Sequence, residues 1–405
     1  MTDTAFDILV FWADDDWGRF GRTYEKVASH LSALPEVRQV ICTFPPETRR
    51  ESTPSHLLRE RVLSPKLVLL TELVPRFARG SNPLARIARR ANRWATERAL
   101  RRYLRGRGFT PESTIIWLFP PHPYIDRLRK VVPHHVRVAH VIDDFTTFDA
   151  AHWLHHYAVV QYPRIGEWAD MIFTASEANH DRFAASGVPC YLFAQAVDEP
   201  FFAIPSVPPH RATGARPRLG YVGFITQRTD LTLLHEVAVR RPEWDVVLVG
   251  PEYPEGYVDA SGVLDLPNVS WLGERPNREV PAFLQSLDVC LMPHIESDYT
   301  RSMAPLKLYQ YLASGRPIVS TPVPGTEFAR EHLRFAADAA GLVEQVQDCL
   351  DYDGHERSVS RIEFVRSATW DVRVREMLRA ATRGRDERLG FDHPHPHVGS
   401  GADRR

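Results

Sequence analysis

The chain has 405 residues, 43% of them hydrophobic and 25% charged, and its 50 basic and 51 acidic residues leave a formal net charge of −1. These figures fit two globular domains of ordinary size and exclude a general polyanion binder, so nucleic acid is not an expected partner. No apolar tract approaches the ~18 to 20 residues of a membrane span, and MTDTAFDILVFW lacks the basic lead of a signal peptide, so a cytoplasmic location is expected.

In chain order, FDILVFWA (6–13) reads as a β-rich run, followed after the loop DDDWGRFGR (14–22) by a helix over 22–34 with Val27, Leu31 and Leu34 in register. VRQVICTF (37–44) is the next strand. Residues 76–107 hold eleven arginines, with Leu84, Ile87, Ala88, Ala91, Trp94, Ala95 and Leu100 between them, which predicts a basic amphipathic helix. Such a helix has two readings. One is a membrane-surface segment, which gains ~1 kcal/mol per basic residue near an anionic leaflet. The other is an outer helix in an arginine-biased sequence, for only Lys26, Lys66, Lys130 and Lys307 are lysine.

STIIWLFP (113–120), VRVAHVID (136–143), DMIFTAS (170–176) and CYLFAQAV (190–197) continue the strands, with helix inside 147–169. Strands alternating with helices predict a parallel sheet covered on both faces. Residues 199–218, rich in proline, read as a linker. The pattern then restarts: strand RLGYVGF (218–224), helix over 230–242, strands WDVVLVG (244–250) and NVSWLG (268–273), helix over 278–287, strand DVCLMP (288–293). Cys42, Cys190, Cys290 and Cys349 lie far apart and fit no metal or disulfide spacing, so buried free thiols are expected. The layout is α/β: Rossmann-like domains over 1–200 and 215–360, a helix over 361–383 long enough to cross between them, and a disordered tail (384–405). His393, His395 and His397 in that tail read as unstructured rather than as metal ligands.

TRSMAPLKLYQYLASGRPIVST (300–321) is the most informative stretch, a phosphate-facing loop, a short helix and a buried strand in succession. Pro305 suits the first turn of the helix, Gly315 its C-terminal cap, and Pro317 prevents continuation. Leu306, Leu308, Tyr309 and Leu312 supply the apolar side, while Lys307 and Gln310 share the other face near the helix start. A cation and an amide therefore point into one place.

The ordered set GYVGF with Arg228, VVLVGP, LPNVSWLGE, DVCLMP and TRSMAPLKLYQYLASGRPIVSTP resembles the donor half of GT-B fold glycosyltransferases of the family-4 type. The resemblance is strong over 215–335 and weaker over the N-terminal half, where VIDDFTTF is the best anchor. It is similar above all to bacterial enzymes of extracellular polysaccharide and teichuronic acid synthesis. It implies the GT-B fold, two Rossmann-like domains facing each other across a cleft, and a nucleotide-diphosphate sugar as donor, a uridine one in the first place. One departure is specific. Where family-4 members carry glutamates eight residues apart, the second holding the ribose hydroxyls, this chain has Ser302 and Gln310, and Ala304 stands where related sequences have Asn. The xanthan glucuronosyltransferase type is similar in having Lys and Gln at the positions of Lys307 and Gln310.

A departing nucleoside diphosphate develops negative charge, so a metal-free enzyme needs fixed cations and helix N-termini beside it. Lys307 and Arg228 are the candidate cations, and Gly223 is the expected point of close approach to the phosphates. Gln310 is the expected ribose ligand, its amide able to bond a diol without charge. Glu274, after NVSWLG, is placed for the base or ribose, and His294, after DVCLMP, to line the site. In the other half Asp143 and Asp144 stand at the carboxyl end of a strand. Neighbours on an extended strand point opposite ways, so one of them is expected to take the acceptor hydroxyl proton. Similarity to the xanthan type favours Asp143; the competing reading is that the pair caps the next helix. Asp16, Arg19 and Arg22, in the loop after the first strand, are candidates for holding an anionic or sugar acceptor.

The expected activity is transfer of a sugar to a glycan or polyprenyl-diphosphate-linked acceptor in surface polysaccharide synthesis, at the inner membrane face and without metal or other cofactor. An inverting course follows if Asp143 is the base, a retaining one if the site follows family 4. Two other readings stay open: a GT-B-shaped nucleotide-sugar epimerase, and, on the residues at 302, 304 and 310, a nucleotide-sugar-binding scaffold without turnover.

Overall fold

A computed structural model describes residues 5–12, 16–48, 57–74, 83–123, 125, 134–202 and 215–383. The tail 384–405, most of the linker, Asp14 and Asp15, and the first part of the arginine-rich stretch (76–82) lie outside them. The described residues divide into two compact units, one holding those of 1–175, 179–193 and 374–383, the other those of 176–178 and 194–373.

The first unit is built on an eight-stranded sheet. Its strands are β1 (Phe6–Phe11), β2 (Val37–Thr48), β3 (Leu58–Ser64), β4 (Leu67–Val74), β5 (Thr114–Leu118), β6 (Val136–Val141), β7 (Met171–Thr174) and β8 (Cys190–Leu192). Their spatial order is β3-β4-β2-β1-β5-β6-β7-β8, parallel throughout except for the β3–β4 pair. The longer helices are α1 (Thr23–Ala33), α2 (Pro83–Gly106), α3 (His155–Gln161) and α4 (Glu177–Ala184). TIIWL of β5 and MIFT of β7 are buried at every residue, as expected when helices cover both faces. The β3–β4 hairpin is not legible in the sequence, because LRERVLS interleaves charge and buries no side chain fully; β3 forms the sheet edge, where exposed Arg59, Glu60 and Arg61 suit an unpaired border.

The second unit carries β9 (Arg218–Val222), β10 (Ile225–Thr226), β11 (Asp245–Val249), β12 (Glu252–Tyr253), β13 (Val269–Trp271), β14 (Val289–Met292), β15 (Ile318–Ser320) and β16 (Arg334–Phe335). Six of these make a parallel sheet in the order β13-β11-β9-β14-β15-β16, and β10 pairs with β12 beside it. The longer helices here are α5 (Leu231–Arg240), α6 (Leu306–Ser314), α7 (Ala339–Tyr352), α8 (His355–Val365) and α9 (Trp370–Thr382), the last running into the first unit from Val374. Strand periodicity sorts the core into two layers. Leu219, Tyr221, Val246 and Leu248 pack with Leu234 of α5 and Val346 of α7; Val222, Val247 and Val249 pack with Leu308 and Leu312 of α6. Pro305 takes the N-cap position of α6 and Gly315, at φ 70°, ends it.

The single helix expected over 361–383 is instead the end of α8 followed by the whole of α9. Between them the backbone turns to pair with Val197, whose N–H reaches Ala368 O at 2.9 Å and whose carbonyl accepts from Trp370 N at 3.3 Å. The Thr369 hydroxyl then caps α9 by accepting from Val372 N. All four cysteines are free, three buried and Cys190 half-buried; burial pushes the Cys190 thiol up to about 12.

Candidate functional site

β9 and β14 are adjacent but pair only through Leu219 with Val289 and Gly220 with Cys290. Past Gly220 the two strands separate. The N–H and C=O of Val222 turn instead to the Tyr311 hydroxyl of α6, at 2.8 and 3.2 Å. Since β11 lies on one side of β9 and β14 on the other, this is the point where strand order reverses, and ligands of open α/β sheets bind in the crevice beyond it.

Lys307, in the first turn of α6, reaches this crevice. Its ammonium donates to the Tyr221 hydroxyl, lies 3.9 Å from the centre of the Tyr221 ring and 3.3 Å from His294 Nε2. Tyr221 is itself fixed: its hydroxyl donates to Phe224 O at 2.7 Å and accepts from Thr229 Oγ1 at 3.2 Å. His294 is held by its backbone N–H on Thr321 Oγ1 at 2.9 Å and by a bridge to Thr229. Burial first, then Lys307 and Arg228, hold the imidazole well below its ordinary pKa, so it is neutral and accepts from Lys307 at Nε2. Its other ring nitrogen, Nδ1, is buried and has no hydrogen-bond partner among the described residues. Burial and then Arg228 likewise hold the Lys307 ammonium well below the usual lysine range. Two of its three hydrogens are placed by these contacts, and no third partner stands among the described residues.

Gly223 follows β9 at φ 144°, a conformation side chains rarely adopt, and a Cβ there would stand 3.0 Å from both Cε and Nζ of Lys307. Gly223→Ala is therefore expected to weaken nucleotide affinity about tenfold, since strain of ~1–3 kcal/mol must be met by moving the backbone or the lysine. Isothermal calorimetry reads this, and an unchanged affinity would remove Gly223 from the site.

Arg228 stands on the turn between β10 and α5, its carbonyl accepting from Ile295 N at 2.8 Å. Its guanidinium donates to the Tyr299 hydroxyl and lies 5.1 Å from the centre of that ring. Tyr299 belongs to the one-turn helix Asp298–Arg301, whose start is fixed by the reciprocal Ser297–Thr300 capping box. Neither Tyr221 nor Tyr299 stands out in the sequence, although S-x-x-T directly before the 300–321 motif is a legible cap. Ser302 closes that turn by donating to Tyr299 O at 3.0 Å. Gln310 lies one turn after Lys307 on α6, half-buried, and Glu274 is exposed in the loop after β13. The second unit thus brings Gly223, Arg228, His294 and Lys307 together, with Gln310 on the same helical face as Lys307, while the Ser302 hydroxyl is spent on its own turn.

In the first unit, Asp144 performs the alternative role foreseen for the pair. Its Oδ1 accepts from the N–H and hydroxyl of Thr146 at 3.0 and 2.6 Å, capping the turn Phe145–Thr147, and its Oδ2 is ion-paired with Arg182. Asp143 is half-buried at the end of β6, with its backbone carbonyl held by the Tyr162 hydroxyl at 3.0 Å. Asp16 is committed within its loop: it accepts from Arg22 Nε at 3.0 Å and from the Tyr24 hydroxyl. Arg19 is exposed and lies over the Phe20 ring, as does Arg22.

Residues 216–352 match the family described as glycosyl transferases group 1. A Bacillus subtilis (strain 168) protein named as a teichuronic acid biosynthesis glycosyltransferase, TuaH, is 38% identical over 166 residues, which cover 40% of this chain and 42% of that one. The chain thus matches less than half the length of this curated relative. Among solved structures, sucrose-phosphate synthase from Thermosynechococcus elongatus superposes with a TM-score of 0.65 at 16% identity over 92% of this chain and 98% of that one. An E. coli trehalose-6-phosphate structure bound with UDP-2-fluoro glucose gives 0.64 at 12% over 95% and 99%. A UDP-forming trehalose-phosphate synthase of Burkholderia xenovorans, in complex with glucose-6-phosphate, gives 0.63 at 11% over 94% and 100%. At these identities the likeness is one of fold. The chain has the GT-B fold, and its residues 216–352 form a domain of the glycosyl transferases group 1.

Proposed function

We propose that this chain transfers a sugar from a nucleotide-diphosphate donor, uridine-linked, to a glycan or lipid-linked acceptor of surface polysaccharide synthesis. The observation that carries this reading is the Lys307 ammonium at the β9/β14 crevice, oriented by Tyr221 and His294 and still holding one hydrogen to give. Lys307 and Arg228 meet the charge that develops on the departing diphosphate, where fixed cations in a water-poor site act most strongly. Gln310 takes the ribose hydroxyls. In the first unit Asp143 accepts the proton of the acceptor hydroxyl, while Asp144 keeps the turn that carries it. The named activities of the teichuronic acid relative and of the UDP-bound structure support this donor and acceptor class.

Calorimetry with uridine diphosphate tests the site. Lys307 has a depressed pKa in the ligand-free protein, and an anionic diphosphate beside it raises that pKa again, so binding takes up protons at pH values between the two. Affinity should therefore fall as pH rises through that window. The ligand-free fold moves the other way, gaining stability across the same window, because the unfolded chain holds more protons there than the native one. Binding with no proton uptake, or tighter binding at higher pH, would discard Lys307 as the phosphate ligand. Release of an altered sugar without any acceptor would favour an epimerase, and binding without turnover a scaffold.

A further inference from the structure

One line of side chains along α2 is exposed throughout: Leu84, Ile87, Ala91 and Trp94, then Arg98 and Arg101, three and four residues apart and so on a single face. Leu84, Ile87 and Trp94 expose 75%, 67% and 65% of their surface. The other side of the helix is packed. Leu100 and Leu104 are buried in the core with Val68 and Leu70 of β4, and Arg107, just beyond the helix, is ion-paired with Glu60 of β3. The C-terminal half of α2 is thus anchored to its sheet by large apolar residues, while residues equally large and apolar point away from it in the N-terminal half. Along the seam Leu84, Ile87, Ala91 and Trp94 come first, with exposed Arg90 at their edge, and Arg98 and Arg101 follow Trp94; Glu97 is the single acid in the helix.

We propose that this seam seats α2 obliquely on an anionic lipid bilayer. Leu84 and Ile87 enter the acyl boundary, Trp94 lies at headgroup level, and Arg98 and Arg101 rest on lipid phosphates. The charge sequence selects this occupant: an apolar patch followed by guanidinium groups complements a surface that is hydrocarbon below and phosphate above. Leu84 and Trp94 are separated by ~15 Å of helix, enough for a tilted segment to pass from acyl boundary to headgroup. The arginines keep α2 from crossing, and among the described residues no helix is long and apolar enough to span a membrane. This inference does not rest on the donor chemistry.

Full-length protein mixed with vesicles of phosphatidylcholine, alone or with phosphatidylglycerol, at low and high salt, tests it by co-sedimentation. The wild type should sediment with the mixed vesicles. Leu84→Ser/Ile87→Ser/Trp94→Ser should bind about tenfold or more weakly at both salt concentrations, because it removes the buried apolar area. Arg98→Gln/Arg101→Gln should lose only the preference for anionic lipid and its salt dependence. Exposed positions leave the melting temperature unchanged, which confirms that the variants fold. Wild-type binding by the triple serine variant would overturn the proposal. So would equal binding to neutral vesicles, or a failure to bind vesicles together with a dimer that the triple variant abolishes, which would make this face a contact with a second copy.

Discussion

Lys307→Ala is expected to lower kcat/KM for the nucleotide-sugar donor by about 10²–10³-fold, the effect of removing one preorganised donor from a developing oxyanion. The melting temperature should hold or rise slightly. The ammonium is a partly buried cation whose protonated form is disfavoured by burial and by Arg228, so its loss relieves the ligand-free fold while it damages the liganded one. Lys307→Arg should not restore activity. A planar guanidinium is longer and cannot occupy the space between the Tyr221 ring and Gly223, where Nζ already lies 3.0 Å from the position of a Cβ. Steady-state kinetics beside calorimetric melting separates the cases: donor turnover within about twofold of wild type would remove Lys307 from the chemistry. A collapse of melting temperature would make it structural.

How much of this site was legible in the sequence depends on what carries each part. Lys307 and Gln310 are readable because helical periodicity alone puts them on one face, and Pro305 and Gly315 mark the ends of that helix with residues whose backbone preferences are strong. Tyr221 and Tyr299 are not. Tyr221 looks like one more apolar residue of a buried strand, and only the separation of β9 from β14 after Gly220 turns its hydroxyl into the seat of the lysine. Tyr299 acquires a role through Arg228, 71 residues away in the chain, a proximity that no local pattern encodes. The same holds in the first unit. The strands with continuous apolar runs are legible, whereas β3, with Arg59, Glu60 and Arg61 exposed, carries no strand pattern of its own and is set by its pairing with β4. The amphipathic α2 shows the limit most clearly. Leu100 stands six residues after Trp94, on the other side of the helix, and packs inward while Leu84, Ile87 and Trp94 face out; the helix alone does not encode which of its two apolar sides the sheet covers.

The aspartate pair separates a chemical role from a structural one within two adjacent residues. Asp144→Ala should lower stability by about 2 kcal/mol, combining a lost cap with a half-exposed ion pair whose strength solvent reduces. The cause is specific: Thr146 loses its acceptor and Arg182 its partner, and the turn that follows β6 loosens. Activity should fall only as far as that loosening displaces Asp143. Asp143→Asn is expected to behave in the opposite way. The change keeps the side-chain volume and leaves the backbone carbonyl on which Tyr162 depends, so the fold should hold. If its carboxylate takes the acceptor proton, kcat should drop by about 10²–10⁴-fold. Uridine diphosphate affinity should remain at the wild-type value, since every proposed nucleotide ligand belongs to the second unit. The two variants therefore give crossed results in melting and in turnover. Full activity in Asp143→Asn would leave this half of the molecule without a base and shift the reading toward the retaining course that family-4 enzymes imply. Product stereochemistry, read by proton NMR of the newly formed anomeric centre, decides the same question independently.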